Sequence, residues 1–153
     1  MTVEIITIAT AHGEPLQTLA QAELVAGFGI VGDRHFGLGE EGPGQNLSLI
    51  EAEEIEAFNQ RFGMNISLTS TRRNLVTRGV RLNDLVGKTF VIGSTRLKGI
   101  EFCEPCEQLG LRLATTTLTM PEIVAAFVHR GGLRAAVLSS GIIRVGDAIV
   151  VQD

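Results

Sequence analysis

Short runs of alternating apolar and polar residues dominate the chain. Val3, Ile5 and the Ile6-Thr7-Ile8 segment predict a first strand, ended by the polar His12-Gly13-Glu14-Pro15 turn. From Gln21 to Val31 a second extended segment is expected, because Ala22, Leu24, Ala26 and Phe28 alternate before Gly29. Gln45 to Ile50 reads as a short strand running into a helix. Ser48 and Glu51 have capping-box spacing, Ile55, Phe58 and Phe62 form one apolar stripe, and Gly63 is placed to end it. Thr71 to Val76 passes from polar to apolar without a breaker, as a strand does at its mouth. Leu82 to Lys88 predicts a turn or short helical turn, Thr89 to Ile92 a strand ending at Gly93, and Arg96 to Phe102 a further alternating strand that Pro105 stops.

Leu109 to Leu118 fits neither period clearly. Thr119, Pro121 and Glu122 start a second helix with a capping box, and Ile123, Val124, Phe127 and Val128 supply its stripe. His129 and Arg130 are expected in its last turn, with Gly131-Gly132 closing it. The tail reads as a hairpin: Leu133 to Leu138, a turn at Ser139-Ser140-Gly141, and a return over Ile142 to Val145, before Gly146-Asp147 and Ala148 to Val151. Many short strands at close spacing predict a mainly β fold, a β-barrel of short, mixed strands with two peripheral α-helices. No repeat or linker divides the chain, so residues 1–153 are read as one domain, long enough to bury roughly 70% of its unfolded surface.

Charge narrows the function classes. Seventeen acidic residues against thirteen basic give a net charge of −4, and Lys88 and Lys98 are the only lysines. Such a balance argues against a phosphate-backbone binder, and the absence of Trp and Tyr removes the usual stacking platforms for nucleic acid. Met1 to Thr10 lacks the basic start and long apolar core of a signal peptide, and no apolar run approaches the roughly 20 residues that span a bilayer. The expected setting is the cytoplasm without membrane attachment. There, two cysteines serve as free thiols or ligands rather than as a structural disulfide.

Those cysteines share the stretch Phe102-Cys103-Glu104-Pro105-Cys106-Glu107. Thiols three positions apart suit a redox dithiol, half of a zinc site, or a sulfur carrier or metal ligand in which one works and the other assists. Glu101, Glu104 and Glu107 disfavour thiolate, so an active sulfur needs positive charge from Arg34, Arg72, Arg73, Arg130 or Arg134. Of these, Arg34 and His35 sit in a segment over 32–44 with five glycines and a proline, expected as a mobile surface loop. Arg72 and Arg73, adjacent at a strand mouth, are expected on opposite faces, one lining a pocket as a fork for an anion and the other in solvent. Glu51, Glu53, Glu54 and Glu56 form no compact inward cluster at helical spacing, and a solvated helix face is expected there. Two cysteines do not complete a tetrahedral zinc site, and His12, His35 and His129 lack ligand spacing to them, so no structural zinc is expected.

Several groups in order resemble the MOSC domain: Gly32-Asp33-Arg34-His35, Arg72-Arg73-Asn74-Leu75, Leu82 through Gly87 with Gly93, Cys103-Glu104-Pro105-Cys106, and Gly132-Leu133-Arg134-Ala135 with Ile143-Arg144-Val145-Gly146-Asp147. That module takes its name from the C-terminal part of molybdenum-cofactor sulfurase, a pyridoxal-phosphate-linked enzyme. It also occurs in the mitochondrial amidoxime-reducing component and in small stand-alone bacterial proteins. The resemblance spans nearly the whole chain and implies a β-rich barrel. It further implies a cysteine that carries sulfur or ligates molybdenum in a pterin cofactor, molybdopterin. Cys106 matches the widely shared cysteine and the metal-ligand role, with Cys103 as accessory, while Arg34, His35, Arg72, Arg73, Asn74 and Arg134 match the cofactor-binding positions. The implied partners are a sulfur donor such as a cysteine desulfurase and a cofactor or small-molecule acceptor. The amidoxime-reducing enzymes ligate molybdenum through a cysteine nearer the C-terminus and carry a further N-terminal β-barrel domain. This chain has no cysteine after Cys106 and no such domain within it.

Three functions stay open on the sequence: sulfur carriage or molybdenum-cofactor binding, including a share in sulfur transfer or in a cofactor-dependent reductase; a dithiol redox module; and a non-catalytic binding module with packed cysteines. The dithiol reading lacks the helix start that normally follows a redox pair.

Overall fold

The computed structural model describes residues 1–37 and 46–152. Residues 38–44 of the expected mobile loop, and Gln45 of the strand expected over 45–50, lie outside that span. The loop's described part, 32–37, is a set of hydrogen-bonded turns tied to the residue just after the first strand by Arg34 N–H donating to Ala9 O at 2.7 Å.

Eleven strands and three helices alternate along the described chain. They are β1 (Thr2–Ile8), β2 (Gln17–Leu19), β3 (Gln21–Val25), β4 (Gly29–Ile30), β5 (Leu47–Glu51), α1 (Ala52–Phe62), β6 (Leu75–Arg78), β7 (Thr89–Ile92), β8 (Thr95–Phe102), α2 (Glu107–Leu113), α3 (Met120–Phe127), β9 (Leu133–Val137), β10 (Gly141–Arg144) and β11 (Ile149–Gln152). A 3-10 turn covers Leu82–Leu85. Eight strands form one curled sheet in the order β11-β7-β8-β9-β5-β6-β1-β2, and β10-β3-β4 form a second. At the start of β1, Val3 N–H donates to Asp147 O at 3.0 Å and Ile149 N–H to Met1 O at 2.8 Å, which draws the two ends of the large sheet together. The mainly β expectation therefore holds.

Alternation along the strands sorts the apolar residues into two cores. Leu49 and Leu75 point into the barrel with Ile6, Leu24, Phe90, Leu97 and Leu133. Their neighbours Ile50 and Val76 point the other way, under the helices, against Ile55, Phe58, Leu109, Leu113, Ile123 and Phe127. Rings of Phe58 and Phe127 stack there with centroids 4.9 Å apart.

Local signals held where nothing distant competed. Thr119 and Glu122 form the expected capping box of α3, and Gly63 ends α1 in the left-handed region at φ 63°. Ser48 and Glu51 do not cap α1, because strand pairing claims both: Ser48 pairs with Arg134 of β9 and Glu51 with Thr77 of β6. The expected segment 21–31 is two strands split by a turn, with Gly27 and Gly29 at positive φ. A third helix, α2, takes up the first half of the ambiguous stretch 109–118, and its start directly after Cys106 overturns the expectation that no helix follows the pair. The tail is not a hairpin: β9 pairs with β5 and β8, while β10 crosses to β3. Nor do the glycines close α3, which ends at Phe127, leaving His129 and Arg130 beyond the helix. Side chains built on Gly131 and Gly132 would collide with Cys103 O and Leu49 O respectively, so these two glycines serve a close crossing of chains. The acidic face is not simply solvated either. Glu51 is buried and accepts from Leu82 N–H at 3.2 Å, Glu53 from Gly79 N–H at 2.7 Å, and Glu56 pairs with Arg78 at 2.9 Å.

Candidate anion and thiol site

Four arginines from separate parts of the chain converge on one cavity. Arg34 follows β4, Arg72 and Arg73 precede β6, and Arg134 lies on β9. With His35, Leu47, Ser48 and Cys103 they line a space of about 90 Å³. Arg112 was not singled out by the sequence because its segment carried no clear period. In α2 it stands near enough to this group that, after partial burial, Arg72, Arg73 and Arg34 push its pKa down, while the Cys106 thiol acts in the opposite sense.

Each guanidinium is aimed by a different device. Arg34 donates from Nη1 to Asp33 Oδ1 at 3.0 Å and from Nη2 to Arg72 O at 2.8 Å. Asp33 is itself fixed by the N–H groups of Ala9 at 3.1 Å and His35 at 3.2 Å. Burial lowers the Arg34 pKa, Asp33 opposes that, and Arg72 and Arg73 add to it. Arg72 sits at φ 60°, in the left-handed region that non-glycine residues avoid. This turn breaks the strand alternation expected to separate Arg72 from Arg73, and both line the cavity. Arg72 Nη2 donates to Glu14 O at 2.7 Å. Arg73 spans three carbonyls, those of Gly131 at 3.0 Å, Cys103 at 3.3 Å and Thr71 at 3.4 Å. Arg134 approaches Glu101 at 3.8 Å across the β8–β9 pair.

The two cysteines have different surroundings. Cys103, 4% exposed, is in the cavity wall, and Cys106 is exposed at the residue preceding α2. Neither forms a disulfide. Glu104 between them turns to His129, whose N–H donates to Oε1 at 2.8 Å. With Glu101 near Arg134, two of the three neighbouring carboxylates therefore have partners of their own. His35 lines the cavity and packs edge-on to His12, with ring centroids 5.1 Å apart. Burial lowers its pKa first, then Arg34, with Asp33 opposing.

Of the residues the sequence singled out, Arg34, His35, Arg72, Arg73, Arg134 and Cys103 meet at the cavity. Cys106 and Asn74 do not line it. Asn74 is buried and joins strands, accepting from Ser48 N–H at 3.2 Å and donating to Thr7 O at 3.2 Å. That hold fixes Ser48, which does line the cavity. A second, larger cavity of about 330 Å³ lies against Glu51, Glu54, Arg81, Asn83, His129 and Arg130, without a thiol. Among the described residues no three of His, Cys, Asp and Glu gather as a metal cage, and no helix is long and apolar enough to cross a membrane.

Chemically, the first cavity offers arginine donors for a tetrahedral oxyanion next to a cysteine residue. Its volume is well under the roughly 300 Å³ at which pockets for drug-sized ligands begin, which suits an anionic head group rather than a whole large ligand.

The fold is similar to that of YuaD from Bacillus subtilis, with a TM-score of 0.79 at 24% identity over 99% of this chain and 96% of that one. YiiM from Geobacillus stearothermophilus is similar at a TM-score of 0.75 and 16% identity, over 99% and 75% of the two chains. YiiM from Escherichia coli follows at 0.72 and 15%, over 100% and 70%. These likenesses establish the fold. No curated protein matches the chain. The model of the MOSC domain matches residues 31–150, and the chain therefore belongs to the MOSC domain family.

Proposed function

We propose that this protein carries sulfur for, and binds, a molybdenum cofactor, through thiol chemistry next to an arginine-lined anion site. The family is associated with molybdenum-cofactor-related proteins. What supports the reading in this chain is one observation: four arginines and a cysteine line the same small cavity in a protein of net charge −4. Acidic overall charge does not gather arginines by itself. Their mutual repulsion is offset when an anion occupies the space between them.

The residues fit the group. Arg34, Arg72, Arg73 and Arg134 would hold the terminal phosphate of the pterin, and a thiolate from the cysteine pair would meet molybdenum or carry the sulfur destined for it. A space of about 90 Å³ takes the phosphate and leaves the pterin outside it. When bound, the cofactor supplies redox chemistry at the metal. The protein's own part is to neutralise the phosphate and to present sulfur.

Two measurements test this. Calorimetry with the phosphorylated pterin, and with inorganic phosphate as a simpler probe, should show binding that Arg72→Ala and Arg73→Ala each weaken about tenfold, on the order of 1.4 kcal/mol. Mass spectrometry of protein isolated from its own cells should find one added sulfur on the cysteine pair or a co-purifying pterin. Unchanged affinity in both variants, with neither species present, would discard the proposal.

A further inference from the structure

The two thiols are unequal in a way that a single carrier cysteine does not use. Cys103 sits at 4% exposure in the wall of a cavity ringed by arginines, where a protein-borne sulfur donor cannot reach it. Cys106 is open to solvent three residues later. Arg112 lies in the helix that Cys106 opens and interacts electrostatically with Cys106 and with Arg72, Arg73 and Arg34, three of the arginines that line the cavity with Cys103. The backbone at both positions is held. Cys103 donates its N–H to Gly132 O at 2.8 Å and its carbonyl accepts from Arg73, while Cys106 O accepts from Gly110 N–H at 3.2 Å.

We propose that the pair works as a relay, an inference that rests on the sulfur-carrying reading: Cys106 receives sulfur from a protein-borne persulfide, and Cys103 draws it into the anion cavity. In the first step Cys106 Sγ gives up its proton and attacks the outer sulfur of the donor persulfide. A new sulfur–sulfur bond forms on Cys106, the donor's bond breaks, and the donor leaves as a thiolate that takes up a proton. In the second step Cys103 Sγ loses its proton and attacks the outer sulfur now on Cys106. The persulfide passes to Cys103, and Cys106 returns to a protonated thiol. Both steps are thiol exchanges, and neither needs an oxidant or a reductant. Negative charge collects on a departing sulfur each time, and the electrostatic attraction between Arg112 and Cys106 favours it when that sulfur is on Cys106.

A cysteine desulfurase charged with L-cysteine serves as the donor, and quenched time points of the full chain are mapped by fragment mass spectrometry. The relay requires persulfide on Cys106 before Cys103, and Cys106→Ser, at an exposed position, should slow loading of Cys103 about tenfold or more. Cys103→Ser should strand the persulfide on Cys106. Undiminished loading of Cys103 in Cys106→Ser, or Cys103 loading first in the wild type, overturns the relay while sulfur carriage stands. Persulfide on neither cysteine overturns both. Because Cys103→Ser alters a buried position, the wild-type time course and Cys106→Ser decide the matter without it.

Discussion

Arg72 illustrates how single residues are committed to the cavity. Its left-handed φ of 60° costs on the order of 1–2 kcal/mol for a residue with a Cβ. That turn leaves both Arg72 and Arg73 in the cavity wall where a regular strand would part them. His35 is committed in another way. Burial and Arg34 hold its folded pKa below the ordinary 6.5, so the unfolded chain binds its proton first as pH falls. Stability from this group is intact above about pH 6.5 and is lost as pH drops from there toward the folded pKa. Thermal melts of His35→Gln should therefore fall less steeply than wild type between neutral pH and the acid side of that window. Parallel slopes would show that His35 protonates equally in both states.

Among the elements, the crossing at Gly131-Gly132 joins the cysteine segment to the cavity. Gly131 O accepts from Arg73, and a methyl group at position 131 would strike the backbone at Cys103. Gly131→Ala should displace that segment and weaken phosphate binding by roughly tenfold, with a stability loss of about 1–3 kcal/mol. A variant that binds phosphate as tightly as wild type would show that the crossing does not position the site. The sequence exposed the glycine pair but not its purpose, since a helix end and a close approach of two chains call for the same residue. It exposed the Thr119 capping box because that device is complete within four residues. It misread Ser48 and Glu51, whose partners on β6 and β9 lie far along the chain. The helix α2 was hidden by its length of seven residues, with Leu109, Gly110 and Leu113 as its buried positions. The residue types of the cavity were legible as arginines and a cysteine pair in motif order. Which cysteine faces inward was not, because that depends on where β8 ends and α2 begins.

At the scale of the whole molecule, a cationic hollow inside an acidic protein should make stability depend on the surrounding anions. Phosphate or sulfate should raise the melting temperature above that in chloride at equal ionic strength, by about 2–4 °C for each kcal/mol of binding in a domain of this size. The gain should shrink in Arg73→Ala. Equal melting in all three salts would mean that the hollow binds none of them.

The crowding of Arg34, Arg72, Arg73 and Arg134 has a consequence for the life of the protein in a cell. If an anion fills the hollow, an empty copy, its repulsion offset only in part by Asp33 and Glu101, should open more often than a filled one and be cut sooner by proteases that act on opened chains. Turnover would thus cull copies without cargo and make abundance follow the supply of ligand, with no dedicated regulator.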